Sequence, residues 1–380
     1  MRRAAAGIAA LVAVTSAAYV SSPYARATSF VVRAAGVNGA AGAVAGWDTQ
    51  SFTTEPTRVI PSRHGPLTVR LYRPTRIDRS VVLIPGLHPA GIQEPRLVGL
   101  ARELAATGVA VLTVELPDLM RFAITPRSTD MIEDAASWFS SRGDIAADGR
   151  IGLIGISFAG GLAIVAAGRS ALRDRLVYVL SFGGHGDLPR VLQYLCTGIE
   201  PDGIRRPPHD YGVAVVLLGV ASSIVPPEQV DSLREGVLTY LNASALDMVD
   251  KTKAATEFAR SQEIARSLSE PAATLLHYVN GRDVAALGRR LLPYVSAYGN
   301  DPALSPDRSP APRVPVYLLH GTDDNVVPAV ESILLARYLE DKTVVHRLLS
   351  GLITHAEVDK TAAVRDMWNL VAFWEGVLQE

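Results

Sequence analysis

The chain has almost no cysteine. Cys196 is the only one in 380 residues, so no internal disulfide can form and no thiolate cluster can hold a metal. A lone cysteine of this kind reads as a small, half-buried apolar residue, not a reactive thiol. Charge is not in excess either. A formal net charge of −1 argues against a nucleic-acid surface, which needs a basic face. No His-x-x-x-His pair or carboxylate cluster has metal-site spacing, and no Gly-x-Gly-x-x-Gly opens a helix after a strand. Neither a metal nor a dinucleotide cofactor is therefore expected. Internal repeats are missing too. What the chain has is apolar residues, 48% against 20% charged, the balance of a core-forming globular protein. Its length allows one large domain with an insertion, or two domains.

The N-terminus departs from that balance. Arg2 and Arg3 precede an apolar run from Ala4 to Val20, and Ala25-Arg26-Ala27 follows as a small-residue cleavage site. Residues 1–27 read as a signal peptide or an N-terminal membrane anchor, so the expected location is exported or membrane-anchored. The alternative is an uncleaved helix packed on a soluble domain. The Ala/Gly-rich stretch Val31 to Trp47 has no period, and 28–52 reads as a linker.

Strand patterns begin at Thr57. Thr57–Pro61 and Leu67–Arg73 alternate with period two around the turn Arg63-His64-Gly65-Pro66, the pattern of an edge hairpin. Val81–Ile84, Val109–Val114, Ile151–Ile154, Leu176–Phe182 and Val314–Leu319 are largely apolar runs of strand length, and Val344–Leu348 reads as a further strand. Helical segments alternate with them near Arg96–Ala106, Ser128–Phe139, Val330–Leu339 and Thr361–Gln379. Alternating units of this kind imply a parallel sheet with right-handed crossovers. From His185 to about Pro312 the rhythm stops. Val230, Leu233, Val237 and Leu241 share a helical face after Pro226-Pro227. Val213–Val225 is apolar enough for a buried helix or a strand, and periodicity does not decide between them. The expected domains are a core over 53–184 and 313–380, with a largely helical cap at 185–312 inserted after the sixth strand.

The centre of the pattern is Arg150 to Gly168. An apolar strand runs into Gly155-Ile156-Ser157-Phe158-Ala159-Gly160 and then into an Ala/Leu/Ile-rich helix. So short a strand-to-helix passage needs a sharp turn, and small residues two before and two after the serine relieve its crowding. The serine hydroxyl is then pushed out above a helix N-terminus. This turn resembles the nucleophile elbow of the α/β-hydrolase superfamily. The family pattern is Gly-x-Ser-x-Gly, and here Ala159 takes the last place. The resemblance covers about Thr57 to Glu380 apart from the insert, and is nearest to the dienelactone-hydrolase and peptidase-like branches.

The resemblance implies a serine, acid, histidine order along the chain. His320-Gly321-Thr322-Asp323-Asp324-Asn325-Val326-Val327-Pro328 is similar to the family's acid loop, His-Gly-x-x-Asp-x-x-Val-Pro. That match places the acid at Asp324, with Asp323 as the alternative. Either could instead cap the following helix. His355, in Ser350-Gly351-Leu352-Ile353-Thr354-His355, lies where the family keeps its base. His346, inside a strand, is the alternative. Thr354 stands where the family often has glycine. The oxyanion donors implied are the backbone N–H groups of Phe158 and Leu87. His88 and His185 are candidates for the substrate pocket. Leu87, Ser157, Asp324 and His355 all fall just past the C-terminal ends of strands, which share one edge in a parallel sheet.

The expected function is hydrolysis of a small-molecule carboxylic ester or related acyl bond through an acyl-enzyme. No cofactor and no nucleic-acid partner is expected, and membrane association would run through the N-terminus. A peptidase or a thioesterase, and a non-catalytic binding protein of this fold, are the alternatives.

Overall fold

The computed structural model describes residues 23–36, 46, 49–353 and 360–380. A nine-stranded sheet forms the centre. Its strands are β1 (Phe52–Thr54), β2 (Arg58–Ile60), β3 (Leu67–Pro74), β4 (Arg79–Ile84), β5 (Val109–Val114), β6 (Ile151–Ile156), β7 (Leu176–Phe182), β8 (Val316–Gly321) and β9 (Val345–Ser350). The order is β1-β3-β5-β4-β6-β7-β8-β9, with β2 paired to β3. From β5 to β9 every pairing is parallel. β1, β2 and β3 form the antiparallel end. The hairpin lies where the sequence pattern puts it, with Arg58 opposite Val69. β1, at three residues, is too short for any period to register, and it makes the strand before the insert the seventh. The strand order, with its parallel body, antiparallel end and helical insert, is that of the α/β-hydrolase fold expected from the sequence.

The strands alternate their burial between two helical layers, as period two demands. In β8, Val316 and Leu318 join one core cluster, while Tyr317 and Leu319 join the other. Three helices cover the second face: α1 over residues 23–34, α2 (Pro95–Ala106) and, at the C-terminus, a long helix over Lys360–Gln379. On the first face lie α3 (Pro117–Met120), α4 (Pro126–Ser140) and α5 (Phe158–Ala167). The insert adds α6 (Leu188–Thr197), α7 (Asp210–Ile224), α8 (Pro227–Asp247), α9 (Lys251–Ser267), α10 (Ala272–Asn280) and α11 (Val284–Gly299). The core then resumes with α12 (Val330–Leu339) after β8, and the Lys360–Gln379 helix is α13.

The structure makes the Val213–Val225 segment a helix over Asp210–Ile224, with Val225 as its C-cap. His209 caps α7, its side chain accepting the Tyr211 N–H, and a 15-residue apolar segment exceeds common strand length. α7 is buried on nearly all sides because other cap helices surround it. α11 crosses α6 so closely that a Cβ on Gly288 would lie 2.0 Å from the Cys196 carbonyl oxygen. Cys196 itself is buried, and burial pushes its thiol up to about 12, in keeping with a packing role.

The N-terminal reading needs revision at one point. The linker reading extends over residues that are helical through 34. Ala27 and Phe30 are fully buried, and the Phe30 ring lies 4.7 Å from that of Trp374. The apolar run Ala4–Val20 lies outside the described residues. Among the described residues no helix is long and apolar enough to cross a membrane.

Candidate active site

β6 ends at Ile156 and α5 begins at Phe158, so Ser157 makes the whole turn. Its φ of 55° and ψ of −135° lie in a region that side chains other than glycine rarely enter, at a cost of about 1–3 kcal/mol. The turn is held by the Ser157 N–H donating to the Phe182 carbonyl at 2.7 Å and the Gly160 N–H donating to the Ser157 carbonyl at 2.7 Å. A Cβ on Gly155 would fall 2.2 Å from the Ala159 carbonyl oxygen. That position must therefore be glycine. Downstream, the tight contact falls on Gly160, whose Cβ would meet Ser181 Oγ at 2.4 Å. Ala159 is fully buried and accommodated, which explains why the elbow tolerates its methyl group. Phe158 opens α5, so its N–H has no partner within the helix.

The loop after β4 crosses the elbow. A Cβ on Gly86 would stand 3.2 Å from Ser157 Cβ and 3.3 Å from the Ile156 carbonyl oxygen. Glycine permits that approach of the loop to the elbow, and Leu87 is the next residue along it. Leu87 is half-buried and packs on the core. His88 follows, half-buried, with Nδ1 accepting the Ala90 N–H at 3.2 Å. Burial lowers its pKa, so the ring is neutral near pH 7.

The structure separates the two aspartates. Asp324 Oδ1 accepts the N–H groups of Val326 at 2.9 Å and Val327 at 3.0 Å. Its Oδ2 lies 3.5 Å from where a Cβ of Gly183 would be. Gly183 directly follows Phe182, whose carbonyl receives the Ser157 N–H. Asp324 and Ser157 thus lie at one sheet edge. Oδ2 is also 3.5 Å from His320 Nε2, but that buried ring is already engaged with the Val327 carbonyl at 2.8 Å and Ser332 Oγ at 2.6 Å. Asp323 points elsewhere: half its side chain is exposed, and it pairs with Arg206 at 3.3 Å.

His355 lies outside the described residues. The chain approaching it is placed. Thr322 N–H donates to the Ser350 carbonyl at 3.2 Å, so β9 leaves the sheet beside the acid loop. Asp366 of α13 then holds the exit, accepting the Gly351 N–H at 2.8 Å. His346 is a poor rival. It pairs with Tyr317, near the start of β8, and stacks on that ring at 4.6 Å, far from the edge that carries Ser157.

His185 needs correction as a pocket residue. It is fully buried, with Nε2 against the Leu304 carbonyl at 2.7 Å. A Cβ on Gly161 would meet its ring at 2.5 Å, and the Phe158 ring lies 5.6 Å away. It packs beneath α5, and desolvation holds its pKa below the ordinary value.

Sequence reasoning missed how the cap meets this edge. His209 N–H donates to the Asn325 carbonyl at 2.9 Å, and the Tyr194 hydroxyl donates to the same oxygen at 3.3 Å. With the Arg206–Asp323 pair, three cap residues grip the acid loop. Across the edge, the Tyr298 hydroxyl meets the Ile124 carbonyl at 3.4 Å. No motif announces these contacts, because each joins residues over a hundred positions apart. Another cavity, about 420 Å³ and lined by Arg26, Gln50, Ser51, Thr75, Arg76 and Thr107, lies at the opposite strand ends and offers no nucleophile with a base. Among the described residues no group of His, Cys, Asp and Glu could hold a metal ion.

No family model matches the chain, and no curated protein does. Among solved structures, an esterase of Pyrobaculum calidifontis is similar over 95% of this chain and 92% of that one, at 16% identity and a TM-score of 0.46. Brefeldin A esterase, a bacterial homologue of human hormone-sensitive lipase, is similar over 88% of this chain and 76% of that one, at 17% identity and a TM-score of 0.43. Carboxyl esterase 2 of the mycorrhizal fungus Tuber melanosporum is similar over 86% and 88%, at 14% identity and a TM-score of 0.45. These likenesses are too distant to carry a residue role or a substrate to this chain.

Proposed function

We propose that this α/β-hydrolase-fold protein is a serine hydrolase that cleaves carboxylic esters through an acyl-enzyme, with Ser157, His355 and Asp324 as nucleophile, base and acid. One observation carries the reading: Ser157 is held at φ 55° and ψ −135° between β6 and α5. Strain of that kind persists only where the surrounding structure enforces it, and it clusters at functional sites.

In this reading His355 takes the Ser157 proton as Oγ attacks the ester carbonyl carbon. Asp324 holds the imidazole tautomer through Oδ2, while the Val326 and Val327 N–H groups fix Oδ1. The carbonyl π electrons move onto oxygen, which the N–H groups of Phe158 and Leu87 receive. One such donor contributes on the order of 10²–10³ in rate, and the positive end of α5 adds to it. The intermediate collapses, and the alcohol leaves with the proton from His355. Water, deprotonated by the same base, then releases the acid and restores Ser157.

The test is hydrolysis of a p-nitrophenyl ester series by the wild type and Ser157→Ala. The expected result is chain-length-dependent turnover in the wild type, and none above background in a variant with unchanged circular dichroism. An active Ser157→Ala protein would refute the assignment.

A further inference from the structure

Ala25-Arg26-Ala27 reads as a cleavage site, yet it lies within α1, which is docked on the core. Phe30 packs on Trp374, Arg33 pairs with Glu103 at 2.6 Å, and Arg26 approaches Asp78 at 4.0 Å. Cutting there would remove the first turn of a packed helix. That turn carries an exposed aromatic pair. Tyr24 stacks on Trp368 of α13 with centroids 5.7 Å apart and rings 9° from parallel. Trp368 is 59% exposed and Tyr24 37%. Arg365 is exposed one turn before Trp368, on the same side of α13.

Chain length fixes what this face can meet. Val20 ends the apolar run, and four residues on stands Tyr24. Fully extended, that stretch spans at most about 14 Å. The headgroup zone is roughly 5–8 Å deep on each side of the hydrocarbon. If Ala4–Val20 enters a bilayer, the start of α1 lies within about 14 Å of the hydrocarbon edge, in the headgroup zone or just outside it, with Trp368 stacked on it. Tyrosine and tryptophan rings favour that depth, and arginine can reach from it to anionic headgroups. A second copy of the chain is a weaker fit, since a stable dimer buries on the order of 1,200–2,000 Å² and this face offers one ring pair beside an arginine. We infer that the N-terminal segment is retained, and that it seats the Tyr24–Trp368 face on a lipid bilayer. The inference is independent of the hydrolase reading.

The test uses the full-length chain recovered from expressing cells, mixed with phosphatidylcholine–phosphatidylglycerol vesicles, with and without brominated acyl chains. The expected N-terminus lies at or before Ala4, so that the apolar run is retained. Protein should float with the vesicles, and brominated lipid should quench its tryptophan emission. Trp368→Phe keeps a ring against Tyr24 but should lose most of the quenching. The pair Tyr24→Ser and Trp368→Ser should bind vesicles about tenfold more weakly, a loss of about 1.4 kcal/mol, with an unchanged melting temperature in solution. A mature N-terminus after Val20, no vesicle binding, or equal quenching in Trp368→Phe would overturn the inference. So would Trp368 shielded from acrylamide without vesicles, which would show that residues 1–22 or a second copy covers it.

Discussion

At Gly155 a single methyl group decides the elbow. Its Cβ would lie 2.2 Å from a backbone oxygen, and backbone cannot swing aside. Gly155→Ala should therefore cost about 1–3 kcal/mol and most of the activity, read by urea unfolding and ester turnover. Ala159→Gly should keep activity, because the crowded downstream position is Gly160. The aspartates give a second contrast. Asp324→Asn should lower kcat by about 10³–10⁴ if it holds the base. Asp323→Asn removes a half-exposed ion pair, worth no more than about 1 kcal/mol, and should cost far less. Equal losses would show that the acid is misassigned. The resemblance of the loop to the family's pattern favoured Asp324, and the structure adds a difference the sequence does not show: two backbone N–H groups orient Asp324, while Asp323 pairs with Arg206.

Among the elements, the acid loop and the cap are joined at Asn325 and Asp323. Arg206→Ala should loosen that join and change kcat/KM several-fold with little change in melting temperature, since cap movement can limit turnover. A double-mutant cycle with Asp323→Asn should show the two effects are not additive. Additive effects would mean the join does not act on the site. His185 makes a separate prediction about stability. Its folded-state pKa lies below the ordinary 6.5 because burial disfavours the charged ring. As pH falls below that value, the unfolded chain takes up a proton that the folded one refuses, so stability contributed above it is lost. Melting temperature should fall on acidification from pH 7 to pH 5.5, and less steeply in His185→Gln if that variant folds. Parallel curves for the two proteins would place the pH dependence elsewhere.

Over the whole molecule, the central parallel strands β5, β6 and β8 were legible because each is a largely apolar run buried on both faces. The elbow was legible because its steric needs are local. Other parts left no local trace. β1 is too short to show a period, and α7 is apolar all round, so its helical nature depended on its length and its cap. α1 read as leader and linker because its apolar face meets a partner some 340 positions away, Phe30 packing on Trp374. His185 looked like a pocket residue because its position at the end of a strand is visible in the sequence, whereas its burial beneath α5 is not. The central claim is that the strained residue is the nucleophile. The most direct test is to treat the protein with a fluorophosphonate and map the adduct by intact and peptide mass spectrometry. One adduct is expected, on Ser157, prevented by Ser157→Ala and slowed in Asp324→Asn. An unlabelled wild-type protein, or an adduct on another residue that survives Ser157→Ala, would contradict it.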